Sequence, residues 1–87
     1  MDNVFFSNSG SEANETAIKI ARLKSKKDGI KKPIIISMSG SWHGRTLATL
    51  TATGNAKIKE GFGPLPEGFV CVKFNDTPSI KKIFNDH

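Results

Sequence analysis

Pro33-Ile34-Ile35-Ile36-Ser37-Met38-Ser39-Gly40-Ser41 is the stretch that decides the fold class. Its middle is β-branched and continuously apolar, without polar alternation, as expected of a strand covered on both faces. Such strands lie in parallel sheets between helices, and Ser39-Gly40-Ser41 breaks the run where a strand would end. Working outward supports this. Upstream, Ala13, Ala17, Ile20, Ala21 and Lys24, with Ile18 beside them, recur at helical spacing and predict one apolar stripe. Ser9 and Glu12 have the capping-box spacing at the start of that helix, with Ser11 as an alternative cap. Asp28-Gly29 supplies its stop, with lysines in the last turn where the helix dipole favours cations. Before the helix, Val4-Phe5-Phe6 reads as a brief buried strand.

Downstream, His43 to Ala52 predicts a weaker, threonine-rich helix ended by Gly54-Asn55. Residues 55–68 carry Gly61, Gly63, Pro64, Pro66 and Gly68 and read as an irregular surface loop. Phe69-Val70-Cys71-Val72-Lys73-Phe74 is a further strand, and Thr77-Pro78-Ser79 opens a short helix that tolerates Pro78 in its first turn. The order β-α-β-α-loop-β-α predicts an α/β layer with a mostly parallel sheet and flanking helices. Three short strands leave sheet edges uncovered, as expected of part of a domain.

The chain has 87 residues, 37% of them apolar, and a formal net charge of +5 from 13 basic and 8 acidic side chains. That length allows at most one small domain with a modest core. The basic excess lies largely at Lys24, Lys26, Lys27, Lys31 and Lys32 and at Lys81-Lys82. No recognised nucleic-acid motif accompanies it, so a basic phosphate- or nucleic-acid-binding module stands as the alternative reading. The single cysteine, Cys71, excludes an internal disulfide, and its apolar surroundings predict a buried, inert thiol. No apolar run approaches the roughly 18 residues of a membrane span, and no signal-peptide pattern opens the chain. The expected compartment is the cytoplasm, with no membrane partner.

Two segments carry chemistry. Gly10 and Ser11 stand at a predicted helix start, where unpaired amides and the positive end of the helix dipole attract a phosphate. The glycine permits close backbone approach and the serine adds a hydroxyl donor. An ordinary helix cap is the competing reading. Neither the three-glycine dinucleotide fingerprint nor the Gly-Lys-Ser/Thr of the P-loop is present, which disfavours a nucleotide. The second segment, Ser41-Trp42-His43-Gly44-Arg45-Thr46, follows the central strand, where ligands of open α/β sheets sit. Trp42 offers a plane for a flat heterocycle, and Arg45 a fork for a carboxylate. A core aromatic and a surface ion pair are the bland counterparts. His43 has no Cys or acidic residue at metal-ligand spacing, so no metal site is expected.

Taken together, Val4-Phe5-Phe6-Ser7-Asn8-Ser9-Gly10-Ser11-Glu12-Ala13-Asn14-Glu15-Thr16-Ala17-Ile18-Lys19, Trp42-His43-Gly44-Arg45-Thr46 and Gly63-Pro64-Leu65-Pro66 resemble the class III aminotransferases. These are pyridoxal-phosphate enzymes of fold type I. The likeness is greatest to the acetylornithine, succinyldiaminopimelate and ornithine aminotransferase group. It covers nearly the whole chain, and three ordered motifs are specific for the superfamily but not for the substrate. The resemblance implies residues 1–87 as a partial cofactor-binding large domain, without the N-terminal segment, the Schiff-base lysine region or the C-terminal domain. It implies Gly10 and Ser11 on the cofactor phosphate, Trp42 stacked on the pyridine ring and Arg45 on the substrate carboxylate. Trp42 is a departure, since Phe or Tyr is commoner there. Glu12 and Asn14 are expected to organise the loop and helix cap, and His43 to neighbour the site. The implied reaction, in arginine and lysine metabolism, moves an amino group from an acetylornithine- or ornithine-type donor to 2-oxoglutarate. The implied assembly is a homodimer, with no nucleic-acid partner. No lysine here matches the family's cofactor-linking position, so the 87 residues alone are expected to be inactive.

Overall fold

The computed structural model describes residues 2–86. Helix α1 spans Gly10–Lys27, strand β1 Ile35–Met38, helix α2 Leu47–Ala52, strand β2 Phe69–Val72 and helix α3 Thr77–Asp86, with a 3-10 turn at Lys57–Lys59 between α2 and β2. Strands β1 and β2 pair in parallel, in a register that sets Ile35 beside Phe69 and Met38 beside Val72. The parallel pairing expected from the apolar runs is therefore present, and α2 supplies the crossover.

Local sequence explains where each element begins and stops. Ser9 caps α1 by accepting the Glu12 amide at 3.2 Å. At the far end the Gly29 amide bonds the Lys26 carbonyl at 3.1 Å and the Ile30 amide the Ser25 carbonyl at 2.9 Å. Gly29 has φ +80° there, which completes a Schellman stop and confirms the Asp28-Gly29 terminator. Helix α2 begins at Leu47 instead of His43. Gly44 at φ +131° cannot continue a helix, and Thr46 is an extended N-cap in a reciprocal capping box with Thr49. Helix α3 is capped by Asp76, whose carboxylate accepts the Ser79 amide at 3.2 Å and the Ser79 hydroxyl at 2.6 Å.

Three further expectations fail. Val4-Phe5-Phe6 forms no strand, and Phe6 is 90% exposed. A strand exists through ladder partners, and β1 and β2 pair only with each other among the described residues. The α1 stripe is narrower than predicted: Ile18 is buried and Asn14 half-buried, but Ala13, Ala17 and Ala21 are exposed and Ile20 is 59% exposed. Burial is instead concentrated in the first half of the helix, at Ser11, Asn14, Glu15, Thr16 and Ile18. Cys71 is exposed, with its Sγ 3.3 Å from the Ser37 Oγ across the strand pair. Its register partner Ser37 is buried, while Cys71 opens into a pocket shared with Asp76, Ser79, Lys82 and Ile83.

The buried apolar residues are Ile18, Leu50, Ala52 and Val72, joined by the buried polar side chains of Ser37, Thr49 and Thr53. Short α2 and its C-cap supply four of these residues. It is the pivot against which α1, β1 and β2 all pack.

Candidate functional site: a helix start and a tryptophan–arginine loop

The α1 start is built as an anion-seeking end. Of its first amides, that of Glu12 bonds the Ser9 hydroxyl and that of Ala13 the Ser9 carbonyl. The amides of Gly10 and Ser11 have no partner among the described residues, and they stand at the positive end of an 18-residue helix. A Cβ placed on Gly10 would meet nothing within 4 Å, so the space before those amides is open. Glu12 turns away from that space: its carboxylate accepts the Asn8 amide at 2.9 Å. Its expected role in loop and cap organisation is thus what the geometry gives.

Residues 39–46 are anchored to this helix start and to α2. Asn14 donates its side-chain amide to the His43 carbonyl at 2.8 Å, and the His43 amide donates to Thr53 Oγ1 at 2.9 Å. Thr53 Oγ1 in turn donates to the Thr49 carbonyl at 2.9 Å. The segment after α2 closes back on the loop, with the Gly40 amide 2.8 Å from the Gly54 carbonyl and the Gly54 amide 3.1 Å from the Ser41 carbonyl. Gly54 has to be glycine. A Cβ there would overlap the Met38 carbonyl and lie 2.6 Å from the Gly40 nitrogen. Gly44 is held as closely: a Cβ on it would run into Ser11 Oγ and lie 2.7 Å from Thr49 Oγ1. The two sequence motifs, separated in the chain by most of α1 and all of β1, therefore meet at the Gly44–Ser11 contact.

The side chains of Trp42 and Arg45 lie together. The guanidinium carbon stands 5.3 Å from the indole centroid, within cation–π range. Both residues are exposed, Trp42 at 55%. They share a pocket of about 380 Å³ with Leu47, Leu50, Ile58 and Phe62. A plane, a fixed positive charge and apolar walls suit a ligand with a flat or aliphatic body and a carboxylate. His43 is half-buried, held through its backbone, and lines a separate pocket with Asn14, Ile18 and Ser37. Among the described residues no cluster of His, Cys, Asp and Glu is placed to hold a metal.

Sequence reading passed over the threonines of this region. Thr49 and Thr53 are wholly buried, and Thr46 donates its hydroxyl to the Glu15 carboxylate on α1. Their three- and four-residue spacing, Thr46, Thr49 and Thr53, places three hydroxyls on one helical face. That spacing was the available signal, and threonine's low helix propensity obscured it.

Comparison with known proteins places the chain in a family. The family described as Aminotransferase class-III matches residues 1–86. An acetylornithine aminotransferase of Bordetella parapertussis is 59% identical over 81 residues, which are 93% of this chain and 21% of that protein. One from Prochlorococcus marinus is 55% identical over 98% of this chain and 20% of its own length. The chain thus spans about a fifth of the length of these relatives. Among solved structures, a Bacillus anthracis aminotransferase superposes with TM-score 0.72 at 41% identity, covering 93% of this chain and 19% of that one. An ornithine aminotransferase of Toxoplasma gondii, described with partial occupancy of PLP at its active site, superposes with TM-score 0.82 at 25% identity over 92% of this chain and 20% of its own. With a free-amide helix start, a tryptophan–arginine loop docked on it and a match along almost its whole length, this chain belongs to the class III aminotransferase family.

Proposed function

We propose that residues 1–87 are part of the large, cofactor-binding domain of a pyridoxal-phosphate-dependent aminotransferase. Its substrates in this reading are an acetylornithine- or ornithine-type amino donor and 2-oxoglutarate. The observation that carries it is the contact of Gly44 with Ser11, which joins a phosphate-seeking helix start to a loop bearing an aromatic plane and a guanidinium. The donor set fits the cofactor. Two unpartnered amides and the Ser11 hydroxyl suit a phosphate dianion, and the exposed Trp42 suits a flat heterocycle. When bound, pyridoxal phosphate supplies the electron sink for chemistry at the carbon bearing the amino group.

This chain's own residues bind and orient. Gly10 and Ser11 hold the phosphate through backbone N–H groups and one hydroxyl. Trp42 fixes the plane of the ring. Arg45 leaves its stack on Trp42 to take the substrate carboxylate in a bidentate fork, a geometry that lysine does not reproduce. Identity to the acetylornithine enzymes supports that donor class. No lysine here matches the family's cofactor-linking position, so in this reading the 87 residues alone carry no turnover.

The test is glutamate formation from 2-oxoglutarate by the full-length protein, with acetylornithine, ornithine and succinyldiaminopimelate as donors. Cofactor-dependent glutamate is expected, with Arg45→Lys raising the donor KM by about tenfold or more, the scale of one lost charged hydrogen bond. Absence of glutamate with all three donors overturns the reading.

A further inference from the structure

The hydroxyl of Ser11 is the only side-chain donor assigned to the phosphate, and a serine hydroxyl rotates freely unless something holds it. Thr49 stands against it, with Oγ1 3.5 Å from Ser11 Oγ. Thr49 is wholly buried. Its Oγ1 lies 2.6 Å from Thr46 Oγ1, and Thr46 donates to Glu15 Oε2. The proton positions in this line follow from its far end. An ionised carboxylate only accepts, so Thr46 donates to Glu15. Thr46 Oγ1 is then the acceptor for the Thr49 hydroxyl at 2.6 Å and for the Thr49 amide at 3.2 Å. Thr49 Oγ1 has given its proton away and accepts the Thr46 amide at 3.1 Å. Towards Ser11 it offers a lone pair and no proton.

We propose that Thr49 is a positioning residue for the phosphate site, and that Ser11, Thr49, Thr46 and Glu15 form a hydroxyl line polarised towards Glu15. The line gives the Ser11 proton a resting acceptor long enough, at 3.5 Å, to be weak. An incoming phosphate oxygen then outcompetes Thr49 for that proton without breaking a good hydrogen bond. The same line ties the Trp42–Arg45 loop to α1, because Thr46 ends that loop and Glu15 lies on the helix. Phosphate seat and ring-stacking loop are thus registered to each other through Thr46 and Glu15, to which no ligand contact is assigned. This inference rests on the proposed role of Ser11 at a cofactor phosphate.

The test compares binding of pyridoxal phosphate with that of pyridoxal, which lacks the phosphate, in the full-length protein. Thr49→Val keeps the shape and removes the hydroxyl. It is expected to lower the preference for the phosphorylated ligand by about threefold, the scale of leaving one hydroxyl free among its three rotamers. Pyridoxal affinity should stay within about twofold, and Thr49→Ser should restore the preference. Glu15→Ala, on the accessible end of the line, is expected to lower it by about threefold and serves where Thr49→Val does not fold. Equal losses for both ligands, or an unchanged preference in Thr49→Val and in Glu15→Ala, overturn the inference. A wild-type protein that does not prefer the phosphorylated ligand overturns instead the phosphate role of Gly10 and Ser11.

Discussion

Two glycines at the site separate folding from binding, since each lacks a side chain for a different reason. Gly44 is fixed by the fold: its φ of +131° disfavours any side chain, and a Cβ would strike Ser11 and Thr49. Gly44→Ala is expected to cost about 2–4 kcal/mol from backbone strain and overpacking together, measured by denaturant unfolding of the full-length protein. Gly10 stands in open space, where an added Cβ would have no neighbour within 4 Å. Gly10→Ala should leave stability unchanged or raise it by up to about 1 kcal/mol, since alanine is the better helix residue. The added methyl would stand where a phosphate approaches the first amides, so cofactor affinity should fall while the melting curve does not. Loss of stability in Gly10→Ala, or its retention in Gly44→Ala, would contradict these assignments. Both glycines were visible in the sequence as parts of motifs. Their different reasons were not, because the approach of Ser11 to Gly44 joins segments far apart in the chain.

At the scale of elements, most starts and stops with a local signal were legible, the Thr46–Thr49 cap of α2 being the exception. Ser9 with Glu12, Asp28-Gly29 and the apolar run at Ile34–Met38 act through residues a few positions away, and the structure follows them. Elements that depend on distant partners were misread. Val4-Phe5-Phe6 has strand composition but no strand to pair with among the described residues. Cys71 lies in an apolar run yet is exposed, because burial of a strand face depends on what covers it. The cap of α3 is local and carries a pH dependence. Hydrogen bonds from the Ser79 hydroxyl and amide, with the charge of Lys73 adding to them, hold the Asp76 carboxyl below the ordinary aspartate range. A folded-state value below the unfolded one means that the stabilisation is full above the unfolded value. It is lost as pH falls through the folded one. Helix α3 should therefore fray in acid, below the ordinary carboxylate range, and Asp76→Ala should fray it at neutral pH as well. Amide exchange of residues 77–86 across a pH series reads this directly. Protection in Asp76→Ala equal to wild type at neutral pH would remove the cap from the account.

For the molecule as a whole, the balance of buried and exposed apolar surface decides what these residues do by themselves. Among the described residues four apolar side chains are buried, Ile18, Leu50, Ala52 and Val72, while Phe5, Phe6, Leu23, Phe62, Phe74 and Phe84 are among the large ones left exposed. The Cα radius of gyration, 13.7 Å, exceeds the value of about 12 Å expected for a compact domain of this length. A core this small does not offset the conformational entropy of ordering the chain. The network around α2, with Thr49, Thr53, Gly44 and Gly54, is polar and small. Expressed alone, residues 1–87 should melt over a broad range without a sharp transition and should bind a hydrophobic dye strongly. The α1 helix, with its Ser9 cap and Schellman stop, should persist longest because its signals are its own. The check is thermal circular dichroism beside dye fluorescence on the 87-residue polypeptide, with the full-length protein measured in parallel. A sharp transition with no dye binding would show that the α2-centred core suffices. The proposed seat of Gly10, Ser11, Trp42 and Arg45 would then be a self-standing module, and binding of pyridoxal phosphate by the 87 residues would become the expected result.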